Sequence, residues 1–355
     1  MNDEVKAGAF RSSFILPRSY FHLMSSRPTT ASAFGAWFGA SRWRRALAPT
    51  GHAGDALFRA AVFAAALALP ALVAAMLWAV GSNAWPAARR FGPGFLKGAA
   101  WSPSAGEFGA LPFIYGTVAS SLIALAISVP LSLGVAVFLV EQAPRALARP
   151  LAFLVELLAA IPSVAYGLWG IFVLAPVIRE TVGPALQSRL GGLPPFRGTV
   201  TGTGLLTGGV ILAIMITPII SAVVRDVLAA VPASQREAAL ALGATKWETT
   251  RVVLANGAPG IAGAIILGLG RAVGETMAVT MLVGNRAQIS ASVFEPAYTI
   301  AAVLANEVRE ATDDLHVSAL VYLALVLFLV TFLINAAARV LVWSVTRGTS
   351  GVGGA

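Results

Sequence analysis

Cysteine is absent from this 355-residue chain, and charge is scarce, with 12% of residues Asp, Glu, Lys or Arg. The first absence excludes disulfides, zinc–thiolate sites and thiol nucleophiles, and leaves the compartment open. The second excludes an ordinary soluble surface, which carries about 25% charged residues. Lysine stands only at Lys6, Lys97 and Lys246, none followed by Ser or Thr, so the chain has no nucleotide-binding P-loop. The three histidines, His22, His52 and His316, are scattered and form no metal-ligand cluster. No enzyme reading survives these absences. Neither a catalytic site nor a cofactor of its own is expected.

What the chain does contain is apolar length. Hydrophobic residues make up 57% of it and the mean hydropathy is +0.79. Charge-free runs cover Ala60–Ala88, Phe108–Val140, Leu157–Ile178, Gly198–Val224, Val252–Gly270 and Leu315–Ala338. About 20 apolar residues carry a helix across a ~30 Å hydrocarbon core. Lipid supplies no hydrogen bonds to the backbone, which selects helices, and the short alternating segments of a barrel are missing. The expectation is an all-α integral membrane protein of about six transmembrane helices. Their limits read as Leu57–Val80, Pro112–Val140, Leu151–Val177, Leu205–Val224, Gly260–Val283 and Val317–Trp343.

Orientation follows from the basic residues. With the amino terminus inside, sixteen of the 25 Lys and Arg fall in inner segments or at the inner ends of spans (Arg59 and Arg339), eight in outer segments, and Arg271 lies deep within a span. That bias places both termini in the cytoplasm of a bacterial inner-membrane protein, and it argues against nucleic acid as the reason for the net charge of +9. Residues 1–56 read as a basic, mostly disordered tail, with an interfacial patch around Trp37 and Trp43. A six-span domain over 57–345 and a short cytoplasmic tail over 346–355 complete the expected organisation.

The most specific segment is the inner loop 225–259. Pro232 suits the first turn of a helix, Gly243 supplies the left-handed residue that ends one, and Thr245-Lys-Trp-Glu248 reads as a capping box for the next. A short helix over 233–242 on the cytoplasmic face is the result. Glu237-Ala238-Ala239 followed by Gly243 resembles the EAA signature of ABC-importer permeases of the type I fold. In that family this loop is the coupling helix that sits in a groove of the ATPase subunit. The family pattern continues with Ile-x-Leu-Pro; here Val253 stands for Ile, and Ala255 and Asn256 replace Leu and Pro.

Longer strings narrow the resemblance. LGLGRAVGETMAVTMLVGN (Leu267–Asn285), LLAAIPSVAYGLWG (Leu157–Gly170), GVILAIMITPIISAVVRDV (Gly209–Val227) and AAVLANE (Ala301–Glu307) are similar to the PstC-type permeases of bacterial phosphate importers. The similarity spans roughly residues 53–345. It implies a half-transporter that works by alternating access beside a PstA-like permease, a PstB-like ATPase dimer carrying Mg-ATP, and a periplasmic PstS-like phosphate-binding protein. Another oxyanion such as sulfate or molybdate fits the same architecture. An ion-driven secondary transporter would instead show inverted repeats or broken helices.

Arg271 reads as lying about twelve residues, or ~18 Å, into the fifth span, where an unpaired arginine costs at least ~2.5–3.5 kcal/mol. Glu275 follows at i+4. Gly270 and Gly274 bracket the pair at a spacing that favours close helix packing. On the functional reading Arg271 faces the path and forks hydrogen bonds to a phosphate oxyanion. Glu275 then holds it in place, and accepts a hydrogen bond from a protonated oxyanion. The alternative is an intrahelical ion pair that only fixes packing. Thr117 and Ser120 in the second span, and Ser163 and Tyr166 in the third, are further candidates for the path. Membrane hydroxyls also serve simply to satisfy neighbouring backbone.

Overall fold

The computed structural model describes residues 53–349. Helix α1 (Ala53–Phe91) leads through the short α2 (Gly94–Lys97) into an antiparallel pair, β1 (Trp101–Ser102) and β2 (Glu107–Phe108), with Trp101 opposite Phe108. Helix α3 (Leu111–Val137) ends in a π-helical turn over Phe138–Gln142. Helix α4 (Arg145–Ala159) precedes α5 (Ser163–Trp169), which continues through π-helical turns and the short α6 (Ala175–Val177) into α7 (Gly183–Leu190). Then come α8 (Leu205–Ala229), α9 (Ala233–Ala241) and α10 (Lys246–Val273). The last are α11 (Met277–Leu282), α12 (Ile300–Glu307) and α13 (Asp314–Thr349).

Among the described residues six helical stretches are long and apolar enough to cross a membrane, the number read from the runs. The first runs on to Phe91, past the expected Val80, and the second, fourth and sixth shift by a few residues at their ends. Two others differ in kind from the expected limits. The third crossing is Ser163–Leu190, not Leu151–Val177. Residues 151–159 belong to α4, which is set apart by Pro162. A proline has no N–H to donate and pushes the residue before it out of the helical region. Arg225 fixes α4 from the side through Glu156 at 2.7 Å. The second difference is the fifth crossing. Helix α10 begins at Lys246 and stops at Val273, so the expected continuous span Gly260–Val283 is broken at 274–276.

The chain divides into two compact units, residues 1–74 and 75–355. Of the first, the described part is the opening stretch of α1, exposed at nearly every position. In the second, α8 is the most buried crossing and packs against α3 and α10. Small residues set these contacts: a Cβ on Gly209 would meet Ile123, and one on Gly268 would meet Ile220. Pro130 and Pro218 lie inside α3 and α8 without ending them. Near them Ser132 donates to the Thr217 carbonyl at 3.1 Å and ties the two helices together. The expected disordered tail and the Trp37–Trp43 patch lie outside the described residues, except that residues 53–56 are helical. Of the expected carboxyl-terminal tail, residues 346–349 belong to α13 and the rest lie outside as well.

Gly116 on α3 marks a tight backbone approach, since a Cβ there would stand 2.3 Å from the Tyr298 carbonyl oxygen. Main chain cannot step aside as a side chain can. Gly116→Ala is therefore expected to cost ~3 kcal/mol, the upper end of overpacking penalties. Thermal unfolding of the detergent-solubilised protein measures it, and a melting point equal to the parent's would contradict the close approach.

Candidate functional site

The break in the fifth crossing follows from its residues. Gly274 and Glu275 close the end of α10 with bonds from Gly274 N to Gly270 O at 3.3 Å and from Glu275 N to Ala272 O at 3.4 Å. Residues 274–276 interrupt the helix before α11 begins, with Thr276 at φ −109°. Non-helical backbone at membrane depth is tolerated only where protein or a water-filled cavity surrounds it. Here protein supplies the partners on the far side of α11. Gly204 N donates to Leu282 O at 2.9 Å, Leu205 N to Glu295 O at 3.1 Å, Leu206 N to Val293 O at 2.7 Å, and Ala297 N to Val283 O at 2.9 Å. The irregular segment 283–299 is thus laced to the start of α8. Gly284, at φ +91°, turns the chain where a Cβ would collide with Pro296. Within that segment burial pushes the Tyr298 phenol above its ordinary pKa, and Asn306 donates to it at 2.9 Å.

Arg271 occupies the last turn of α10, and its Nη2 lies 3.3 Å from Glu275 Oε2. The two side chains differ sharply in environment: Arg271 is 51% exposed and Glu275 only 5%. Removing one partner of such a pair leaves an uncompensated charge, worth about 3–5 kcal/mol when buried, so the carboxylate anchors the guanidinium. The depth estimated from the sequence counted from Gly260, whereas α10 begins at Lys246. Packing gives a better measure, because Gly268, one turn earlier, seats on Ile216 and Ile220 near the middle of α8. Arg271 also lines a cleft of about 540 Å³ with Ile219, Ile266, Leu267, Gly270, Asn335 and Arg339. Among the described residues the glycine pair makes no contact with another helix: a Cβ on Gly270 would meet nothing within 4 Å, and one on Gly274 only its own helix.

The other expected path residues fall in two places. Tyr166 is buried on α5, donates to the Leu158 carbonyl at 2.7 Å, and shares a core with Ala278 and Leu282 of α11. Ser163 opens α5 and is half-buried. Thr117 and Ser120 sit elsewhere, deep on α3. The Thr117 hydroxyl donates to Phe113 O at 2.8 Å and accepts from Ile300 N at 3.0 Å, while Ser120 donates to Thr117 O at 3.2 Å. Both Thr117 and Ser120 are engaged with backbone in this arrangement. Thr117 holds the amino end of α12 onto α3.

The loop helix α9 lies between α8 and α10. Gly243 adopts φ +83°, and the Thr245–Glu248 capping box is formed in both directions. Helix α9 is a residue shorter than expected, and helical residues of α8 and α10 take up much of 225–259. Glu237 and Ala238 are exposed and Ala239 half-buried. Leu240, Leu242 and Trp247 are bared to 53%, 90% and 63%, an apolar face left open among the described residues.

Several polar contacts escaped the sequence. Trp101 Nε1 donates to Glu307 Oε2 at 2.9 Å, and His316 Nε2 stands 3.1 Å from the same oxygen. Arg236 reaches Glu141 at 2.8 Å. That last pair had one legible sign, since Pro232 and Leu240 occupy the i−4 and i+4 positions of Arg236 and neither can pair with it. Among the described residues no group of acids and histidines is placed to hold a metal.

Residues 128–347 match the model of a family described as the binding-protein-dependent transport system inner membrane component. The chain belongs to that family. A curated relative from Mesorhizobium japonicum, named phosphate transport system permease protein PstC, is 47% identical over 300 residues, 83% of this chain and 92% of its own. The protein of the same name from Haemophilus influenzae is 43% identical over 81% of this chain and 93% of its own. An inward-facing structure of the MetNI methionine ABC transporter aligns at 21% identity with a TM-score of 0.49, over 66% of this chain and 95% of that one. As a PstC-type family member the chain is a multi-pass membrane permease of an ABC transporter, a system built with partner subunits. A broken crossing is also what the ion-driven alternative predicts; membership in the binding-protein-dependent family decides between them.

Proposed function

We propose that this permease carries inorganic phosphate across the bacterial inner membrane, driven by ATP that a partner subunit hydrolyses. The observation that carries the reading is a half-exposed guanidinium, Arg271, clamped by a buried carboxylate where the fifth crossing breaks near the middle of α8. Such a group meets an oxyanion with paired, charge-assisted hydrogen bonds. The names of the curated relatives support phosphate over other oxyanions.

In this reading Arg271 binds the anion, Glu275 holds the guanidinium between transport events, and Ser163, Tyr166, Thr117 and Ser120 belong to the helices that line or brace the path. Glu237, Ala238, Ala239 and Gly243 shape the coupling helix that enters the ATPase groove, helped by the bared Leu242 and Trp247. A PstA-like permease, a PstB-like ATPase dimer with Mg-ATP and a PstS-like periplasmic binding protein complete the importer. Both termini then face the cytoplasm.

Reconstitution into phospholipid vesicles with those three partners tests the reading. Phosphate uptake that needs ATP and the binding protein, and that excess sulfate or molybdate does not compete away, is the expected result. Uptake that follows sulfate or molybdate would move the chain to another oxyanion. Uptake without ATP would overturn the importer reading itself.

A further inference from the structure

Helix α9 has no buried residue. Core packing therefore contributes little to holding it, and its position depends on its polar anchor. That anchor is Arg236. Its Nε and Nη2 donate to Glu141 Oε1 at 3.1 and 2.8 Å, its Nη1 to the Val231 carbonyl at 2.6 Å, and its Nη2 again to the Leu228 carbonyl at 2.8 Å. One planar group thus gathers three segments: α9 itself, the carboxyl end of α8, and the π-helical turn that ends α3. Both charged side chains are largely removed from water, at 22% and 12% exposure, where ion pairs are screened less than on the surface. Only a guanidinium has donors enough, in a fixed fork, to serve a carboxylate and two carbonyls together.

We propose that Arg236 and Glu141 are the mechanical link through which α9 moves the membrane helices. With the link closed, a displacement of α9 reaches the inner ends of α3 and α8 together. These are the two helices that pack most extensively on each other, and α8 also packs on α10, which carries Arg271. With the link open, α9 is tied to the rest chiefly by its neighbour α10, and its displacement is lost in the turn at 230–232. Arg236 is a positioning residue: it touches neither anion nor nucleotide. The proposal rests on the importer reading, because it presumes a partner that pushes on α9.

The test uses the reconstituted importer and reads anion uptake per ATP hydrolysed. Arg236→Gln and Glu141→Gln are each expected to lower that ratio at least tenfold, with ATP turnover within twofold of the parent. Arg236→Lys should fall between. The double variant should be no worse than either single one, because both remove the same contact. A parental ratio in the single variants, or losses that multiply in the double, would overturn the link. A parent complex without ATP-driven uptake would instead overturn the importer reading.

A second measurement guards against variants that assemble poorly. The chain has no native thiol, so Phe138→Cys and Leu240→Cys, both exposed positions, can carry a pair of spin labels in the full-length chain. The distance between them should be narrowly distributed in the parent and broad with Arg236→Gln. Equal widths would also overturn the link.

Discussion

Anion uptake is expected to fall by about two orders of magnitude or more when Arg271 is replaced by alanine, the loss of two charge-assisted hydrogen bonds at ~1.5–3 kcal/mol each. The single replacement carries a second effect. It leaves Glu275, 5% exposed, as a buried carboxylate without its cation, and a stranded buried charge destabilises the fold. The informative variant therefore pairs Arg271→Ala with Glu275→Gln, which removes the anion-binding group and the stranded charge together. Its complex should co-purify with the ATPase in normal yield and hydrolyse ATP at the basal rate, yet take up no anion above background. Arg271→Lys should retain part of the activity, because an ammonium keeps the charge and loses the fork. Normal uptake by the double variant in an assembled complex would reduce the pair to a packing device.

The coupling helix gives the other large effect. Replacing residues 233–242 by a Gly/Ser linker of equal length should leave the membrane core folded, since α9 contributes no buried residue to it. Uptake should drop to background and the ATPase should no longer co-purify. The cause is the loss of a bared apolar face, led by Leu240 and Leu242, that gains by leaving water at ~25 cal/mol per Å². Glu237→Lys is the milder version, reversing one exposed charge while keeping the helix. An ATPase that still docked and still drove uptake with the linker in place would remove this loop from the coupling route, and the importer mechanism would need another point of contact.

Much of this was legible before any coordinates. Hydropathy located six crossings because a ~20-residue apolar run has few other fates. The turn between the short helix and α10 was legible because capping chemistry is local: Gly243 takes the left-handed turn, and Thr245 and Glu248, three residues apart, satisfy each other's backbone at the start of α10. Hydropathy failed where an apolar run was not a crossing. The stretch after Arg149 is as apolar as a membrane helix for ten residues, yet Pro162 and the Glu156–Arg225 pair assign it to α4. It failed again at Val273: Arg271 and Glu275 end the charge-free run, but opposite charges four residues apart suit one turn of continuous helix as well as a break.

The sequence alone determined that this chain lives in a membrane, that it carries no P-loop pattern, and that a helical elbow joins its fourth and fifth crossings. All three depend on composition or on residues a few positions apart. Tertiary structure decided where the fifth helix stops, which hydroxyls are spent on backbone, and what holds the elbow. Those outcomes join Gly204 to Leu282, Thr117 to Ile300 and Glu141 to Arg236. Each pairs groups about 80 to 180 residues apart, and only the folded chain brings such groups within hydrogen-bonding distance.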